Sequence, residues 1–347
     1  MASAASLEYL TNRPDDEVIF APKAPGSFQR GKNNLQNWIL PGGRFEPVAG
    51  RYHLFVNYGC GWCHQCMLTR AVKGLDHVIT MSHTGLTRLG KRGTDDYRGW
   101  SIPEDPTGHG FTSAFDVYNA GTDYGRQQMT TPMLFDRETK LVVSNDPAQI
   151  VLMFNTVFQE FAEHKIDLYP EPLREQIEQV NSVVFPGIND GVYLCWFNST
   201  AEAYAEGFTG VQNGFKWVDE RLQSSSYLCG DTLTLADIRA FPHIFRFDVI
   251  YHKLMMRDPR GRYVKEQYPL VDAWLQRLFN DERIQSTCDL QVAARFYLSE
   301  PDDECDQLYT SLKSSWMPSL EELQAKREAE QLPELAAIGK LPDELPE

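Results

Sequence analysis

Cysteine is scarce in this 347-residue chain: seven residues, an odd number, at positions 60, 63, 66, 195, 229, 288 and 305. So few thiols in so long a chain exclude the disulfide framework of a small secreted domain. Basic residues are also short, 33 against 48 acidic, which leaves a net charge of −15. A phosphate backbone or an anionic membrane surface needs a basic face, so neither nucleic acid nor membrane is expected as a partner. No apolar run approaches the ~18 residues that a membrane helix needs. The opening stretch, MASAASLEYL, lacks the basic flank and apolar core of a signal peptide. A cytoplasmic location is the expectation, with an organelle left open. What remains is an ordinary soluble composition, 42% hydrophobic and 23% charged, long enough for about two domains.

Residues 1–48 are rich in Pro, Gly, Asn and charge without a sustained period, and read as an irregular N-terminal extension. From Arg51 to Tyr58 alternate residues form two series, which predicts a strand ended by Gly59. A helical stripe follows from Cys63 to Leu75, then a short strand from His77 to Ser82. Residues 83–128 hold many Gly, Thr, Asp and Arg and read as a long functional loop. Met133–Phe135 and Leu141–Val143 read as a hairpin, and Pro147 opens a helix. Strand, helix, strand, loop, proline, hairpin, helix is a thioredoxin-like order over residues 49–160. Residues 168–310 carry helical periods and few strand signals, including Thr234 and Asp237 spaced as a capping box. The stretch 311–347 reads as a charged tail. The expected fold is thus an α/β thioredoxin-like N-terminal domain followed by an all-α C-terminal domain.

The chemistry gathers at Cys60-Gly61-Trp62-Cys63, where the first strand hands over to the first helix. A cysteine at a helix start faces unpaired N–H groups and the positive end of the dipole, and both favour the thiolate. The thiolate is the nucleophile of disulfide and thioether chemistry. Cys60 should lie at the exposed edge of the turn and Cys63 one turn in. Whether Cys63 packs or resolves a disulfide stays open, as does the reading of both as small buried hydrophobes. A metal centre from Cys60, Cys63, Cys66 and His64 is disfavoured, because no fourth cysteine follows and no second pair lies elsewhere. No metal is expected. Thr131-Pro132, just before the hairpin, stands where thioredoxin-like folds place a cis proline, with an ordinary strand-start proline as the alternative.

These features, with Leu35-Gln36-Asn37-Trp38-Ile39, Val143-Ser144-Asn145-Asp146, Ile188-Asn189-Asp190-Gly191-Val192-Tyr193 and Arg246-Phe247-Asp248-Val249-Ile250-Tyr251-His252, resemble the glutathione transferase superfamily. The match is closer to its Xi class, the omega-like glutathionyl-hydroquinone reductases. The resemblance covers about residues 26–300. It implies glutathione as co-substrate, an aromatic, quinone-derived second substrate and a homodimer. It implies Cys60 as nucleophile, Trp100 packed on glutathione, and Thr131 before cis Pro132 holding the cysteinyl backbone. Asp146 would hold the γ-glutamyl amine, while Tyr193, Tyr251 and Tyr297 would line the substrate site and assist the sulfur chemistry. The chain departs from the family pattern at Gly61, usually Pro; at Cys63, usually Ala; at Pro147, usually Ser; and at Asp146, usually Glu. The family's basic residue four before the cis proline is Gln128 here, with Arg126 near enough to replace it.

The implied reaction is glutathione-dependent reduction of glutathionyl-hydroquinones through a Cys60–glutathione mixed disulfide. One alternative is a glutaredoxin-like or omega-like thiol transferase or dehydroascorbate reductase. A second, of a different class, is a non-catalytic ligand-binding or scaffold protein.

Overall fold

The computed structural model describes residues 28, 30, 31, 33, 35–91, 93–197, 200–252, 255, 256 and 263–298. The expected tail over 311–347 and most of the N-terminal extension lie outside the described residues. The chain divides into two compact units, one built on residues 32–169 with 282–289, the other on 170–281 with 290–298 and residues 28–31.

The first unit holds a four-stranded sheet in the order β2-β1-β5-β6: β1 (Tyr52–Val56), β2 (Thr80–His83), β5 (Met133–Asp136) and β6 (Leu141–Ser144). β1 pairs parallel with β2 and antiparallel with β5, and β5 pairs antiparallel with β6. A parallel neighbour requires a crossover, and helix α1 (Gly61–Lys73) supplies it. All five residues of β1 are buried, so both series of its alternating pattern face protein. His53 tolerates this because its ring nitrogens meet Thr80 Oγ1 at 2.7 Å and Ser82 Oγ at 2.9 Å. Burial holds that imidazole neutral, its pKa lowered to about 3. α1 ends at Gly74, whose φ of +63° is left-handed and whose missing side chain makes room for Glu163. It packs against α3 (Pro147–Thr156).

Four differences from the sequence reading stand out. α1 begins at Gly61, not Cys63, because the Cys60 side chain itself caps it. Residues 35–37 are not irregular: Asn37 N donates to Val143 O and Asn145 N to Leu35 O, laying that segment along the free edge of β6. The region 83–128 is not one loop. It contains a two-stranded ribbon, β3 (Arg88–Leu89) with β4 (Gly99–Trp100), and the short helix α2 (Ala114–Asn119). Asp116 fixes α2 by accepting from Ser113 N at 3.0 Å and Ser113 Oγ at 2.9 Å. Finally, residues 282–289, read as part of the helical domain, group with the first unit. There Thr287 Oγ1 meets His64 Nε2 at 2.8 Å.

The second unit is helical among its described residues: α4 (Arg174–Val184), α5 (Gly191–Phe197), α6 (Ala201–Arg221), α7 (Leu235–Arg246), α8 (Tyr263–Gln267), α9 (Pro269–Phe279) and, after α10 (Glu282–Gln285) of the first unit, α11 (Leu290–Leu298). Two wide π-turns, Phe185–Asn189 and Phe247–Tyr251, follow α4 and α7. Among the described residues no helix is long and apolar enough to cross a membrane.

Asp237 is the keystone of this unit. It is fully buried at the start of α7, and one carboxylate oxygen accepts from both Thr234 N and Thr234 Oγ1 at 3.0 Å. The other accepts from Leu228 N and Trp274 Nε1, each at 2.9 Å. Burial raises its pKa against these bonds. Removing the carboxylate strands several buried donors at once. Asp237→Ala is expected to cost about 2–4 kcal/mol, measured by denaturant unfolding; a loss below about 1 kcal/mol would contradict this role.

Candidate active site

The strand-to-helix turn is held from below by Asn57, which is fully buried at the end of β1. Its Oδ1 accepts from Gly59 N at 2.9 Å, and its Nδ2 donates to Thr84 Oγ1 and Gly85 O. Cys60 N donates to Asn57 O at 3.0 Å. So anchored, Cys60 takes an extended conformation as the N-cap of α1, and its Sγ accepts from Cys63 N at 3.3 Å. Serine, threonine and aspartate oxygens usually fill this place; here a sulfur does. No acidic residue stands in the first turn of α1, so nothing in that turn opposes the N–H groups and helix dipole in favouring a thiolate. Cys60 is half-buried, whereas Cys63 and Cys66 are fully buried. Burial, with the charge and hydrogen bond of Cys60 behind it, pushes the Cys63 thiol well up. Burial does the same for Cys66. One thiol of the three is therefore placed to react first.

The Thr131-Pro132 peptide bond is cis, and Thr131 O lies 3.9 Å from Cys60 Sγ. The remaining glutathione-binding candidates sit in the same unit. Trp100 is not in a loop. It is the end of β4, 8% exposed, with the Arg88 guanidinium 4.2 Å from its ring. Gly99 before it holds φ +70°, and a side chain there would meet Ala114 at 3.1 Å. Arg126 is exposed and rests on Phe115 at 4.9 Å, with Arg98 on the same ring at 4.6 Å. Gln128 lends its carbonyl to Tyr124 OH at 3.3 Å. Asp146 caps α3, accepting from Ala148 N at 2.9 Å on one oxygen and from Gln36 Nε2 at 2.8 Å on the other. Gln36 was not singled out in the sequence, although it lies in a family-like stretch.

In the helical unit the three candidate tyrosines converge, although the sequence separates them widely. Tyr193 lies on α5, Tyr251 at the end of the second π-turn and Tyr297 on α11. Tyr297 OH is 2.8 Å from Tyr193 OH and 3.2 Å from Tyr251 OH, so it is the hub of a phenol chain. Tyr251 is fully buried, Tyr297 nearly so, and Tyr193 is the half-exposed member. Burial, reinforced by both neighbours, keeps Tyr297 well above the usual phenol range, hence protonated. His243 lies about equally far from Tyr193 and Tyr251, its ring centroid 6.2 and 6.0 Å from theirs, and burial keeps it neutral. Sequence reasoning missed Arg30, which ion-pairs with Asp190 at 2.5 Å and lies 4.8 Å from the Tyr193 ring. Among the described residues no group of three or more His, Cys, Asp or Glu side chains could hold a metal ion.

A sheet in this order, a cysteine capping the first helix, a cis proline beside it and a following helical unit together describe a glutathione transferase. The family pattern "Glutathione S-transferase, C-terminal domain" matches residues 201–277. The chain is 32% identical over 277 residues to the glutathionyl-hydroquinone reductase PcpF of Sphingobium chlorophenolicum, covering 80% of this chain and 86% of that one. It superposes on the glutathione S-transferase Xi of Phanerochaete chrysosporium with a TM-score of 0.72 at 31% identity, covering 79% of this chain and 93% of that one. The glutathione-bound structure of YqjG, a glutathione transferase homolog from Escherichia coli, gives 0.69 at 26% identity, covering 76% and 87%. The chain belongs to the Xi-class glutathione transferases, the family of the glutathionyl-hydroquinone reductases and one of glutathione-dependent enzymes.

Proposed function

We propose that the protein reduces glutathionyl-hydroquinones to hydroquinones at the expense of glutathione. The observation that carries this is the Cys60 sulfur, half-exposed, capped by the Cys63 N–H and lying beside the cis Thr131-Pro132 bond. The Cys60 thiolate attacks the glutathione sulfur of the thioether. The carbon–sulfur bond breaks, its electron pair stays on the ring carbon, and Tyr193 gives that carbon a proton. Hydroquinone leaves, and Cys60 is left in a mixed disulfide with glutathione. A second glutathione thiolate attacks that disulfide, frees Cys60 and departs as glutathione disulfide. Each turnover consumes one thioether and one glutathione, and yields one hydroquinone and one glutathione disulfide.

In this reading Tyr251 and Tyr297 hydrogen-bond the substrate and hand a proton along the phenol chain to Tyr193. Trp100 packs on glutathione, Thr131 holds its cysteinyl backbone, and Asp146 takes the γ-glutamyl amine with Gln36 beside it. Arg126 and Gln128 complete the glutathione-binding set in place of the family's basic residue. A flat ring with polar substituents suits a site that offers aromatic faces and hydroxyl tips. A homodimer and a cytoplasmic location belong to the same proposal, the first by family resemblance and the second from the sequence alone.

A second reading, a thiol transferase acting on mixed disulfides or on dehydroascorbate, is favoured by the Cys60–Cys63 pair. Steady-state assays with a glutathionylated hydroquinone, a low-molecular-weight mixed disulfide and dehydroascorbate separate them. The thioether is expected to show kcat/KM at least about tenfold above the other two, a margin of ~1.4 kcal/mol in transition-state binding. Turnover of the disulfide with none of the thioether would favour the second reading.

A further inference from the structure

Two thiols occupy the first turn of α1. The outer one, Cys60, is half-buried, and the inner one, Cys63, is fully buried directly behind it. Cys60 Sγ accepts from the Cys63 backbone N–H at 3.3 Å, which sets the two cysteines in the same helical turn. The Thr131 carbonyl lies 3.9 Å from Cys60 Sγ. Cys66, one turn further, is differently placed, with its Sγ directed to Trp62 O and Pro147 O at 3.9 and 4.0 Å.

We propose that Cys63 is an internal resolving thiol, giving this chain a dithiol route through a Cys60–Cys63 disulfide beside the route in which a second glutathione resolves. The inference rests on the reading that Cys60 takes glutathione. In the resolving step the Cys63 sulfur attacks Cys60 Sγ of the mixed disulfide. The bond from Cys60 to glutathione breaks as the bond from Cys60 to Cys63 forms. Glutathione leaves as a thiolate and takes up the proton that Cys63 gives up. One disulfide replaces another, so no oxidant is needed. Return requires two glutathiones: the first reopens the internal disulfide as a Cys60 adduct, and the second removes that adduct as glutathione disulfide.

The local chemistry sets the order of events. Because burial holds Cys63 protonated, it does not compete with Cys60 for the first substrate. Once Cys60 is in a mixed disulfide, Cys63 is the remaining thiol of the same helical turn and attacks as its thiolate. The route matters most when free glutathione is scarce, since it empties the outer thiol of glutathione without a second molecule.

The test loads reduced wild type, Cys63→Ala and Cys63→Ser with glutathione disulfide, removes excess, and follows intact mass with time. The wild-type adduct should decay to a species two hydrogens lighter than reduced protein, with Cys60 joined to Cys63 in peptide mapping. Its lifetime should be shorter than in either variant by about tenfold or more. Adducts equally long-lived in all three proteins, or a cross-link to Cys66 instead, would overturn the inference while leaving the Cys60 reading intact. Failure of glutathione to attach at Cys60 at all would instead strike at that reading. Should the variants not fold, the wild type alone decides: equilibrated with mixtures of glutathione and glutathione disulfide, it must populate the internal disulfide, and a mixed disulfide with no internal form contradicts the inference.

Discussion

Cys60→Ser is expected to lower turnover of a glutathionyl-hydroquinone by about 10³-fold or more, with the fold intact. Serine cannot form the mixed disulfide, and its hydroxyl is a far weaker acid and nucleophile than a thiol. The variant separates chemistry from folding unusually well, because serine is among the best residues for capping a helix. The oxygen can accept the Cys63 N–H that the sulfur accepts now. Thermal unfolding should therefore match wild type or exceed it. Retention of more than about one per cent of wild-type turnover, against the expected 10³-fold loss, would remove Cys60 from the mechanism.

The second large effect belongs to Tyr193→Phe. The hydroxyl removed is the half-exposed end of the phenol chain, 2.8 Å from Tyr297 OH. If it protonates the ring carbon as hydroquinone departs, its loss acts on the transition state and lowers kcat by about 10²–10³-fold with little change in KM. The defect should fall on one half of the cycle. Hydroquinone release on mixing enzyme with substrate should slow by that factor, while removal of glutathione from a preformed Cys60 adduct should proceed at the wild-type rate. An unchanged kcat, or an equal slowing of both halves, would mean that the phenol chain serves packing only.

How far the sequence could be read depended on the range over which each feature is encoded. The cysteine turn was legible because its signals are adjacent: a strand, Gly59, then Cys60-Gly61-Trp62-Cys63 at a helix start. The capping box at Thr234 and Asp237 was legible for the same reason. The matching pair Ser113 and Asp116 carries the same spacing and was overlooked, because the six-residue helix that it caps is too short to show a period. Strands β3 and β4, of two residues each, likewise leave no alternation to detect. Features made by distant residues left no local trace at all. Thr287 against His64, and Arg30 against Asp190, are separated by 223 and 160 positions. The convergence of Tyr193, Tyr251 and Tyr297 belongs to this class; no spacing rule joins them, and family resemblance alone singled them out. The alternation in β1 marked the strand but not its burial on both faces: His53 is buried as deeply as Leu54 and tolerates it through its bonds to Thr80 and Ser82.

The central claim is that Cys60 takes glutathione from the aromatic thioether and releases the hydroquinone in the same step. Rapid quenching of reduced protein mixed with one equivalent of a glutathionyl-hydroquinone, with no free glutathione, tests it most directly. The earliest quenched samples should contain one hydroquinone released for each glutathione bound to protein, and peptide mapping should find that glutathione on Cys60. Hydroquinone appearing with no glutathione on any cysteine at any time, or glutathione carried on a different cysteine, would contradict the account.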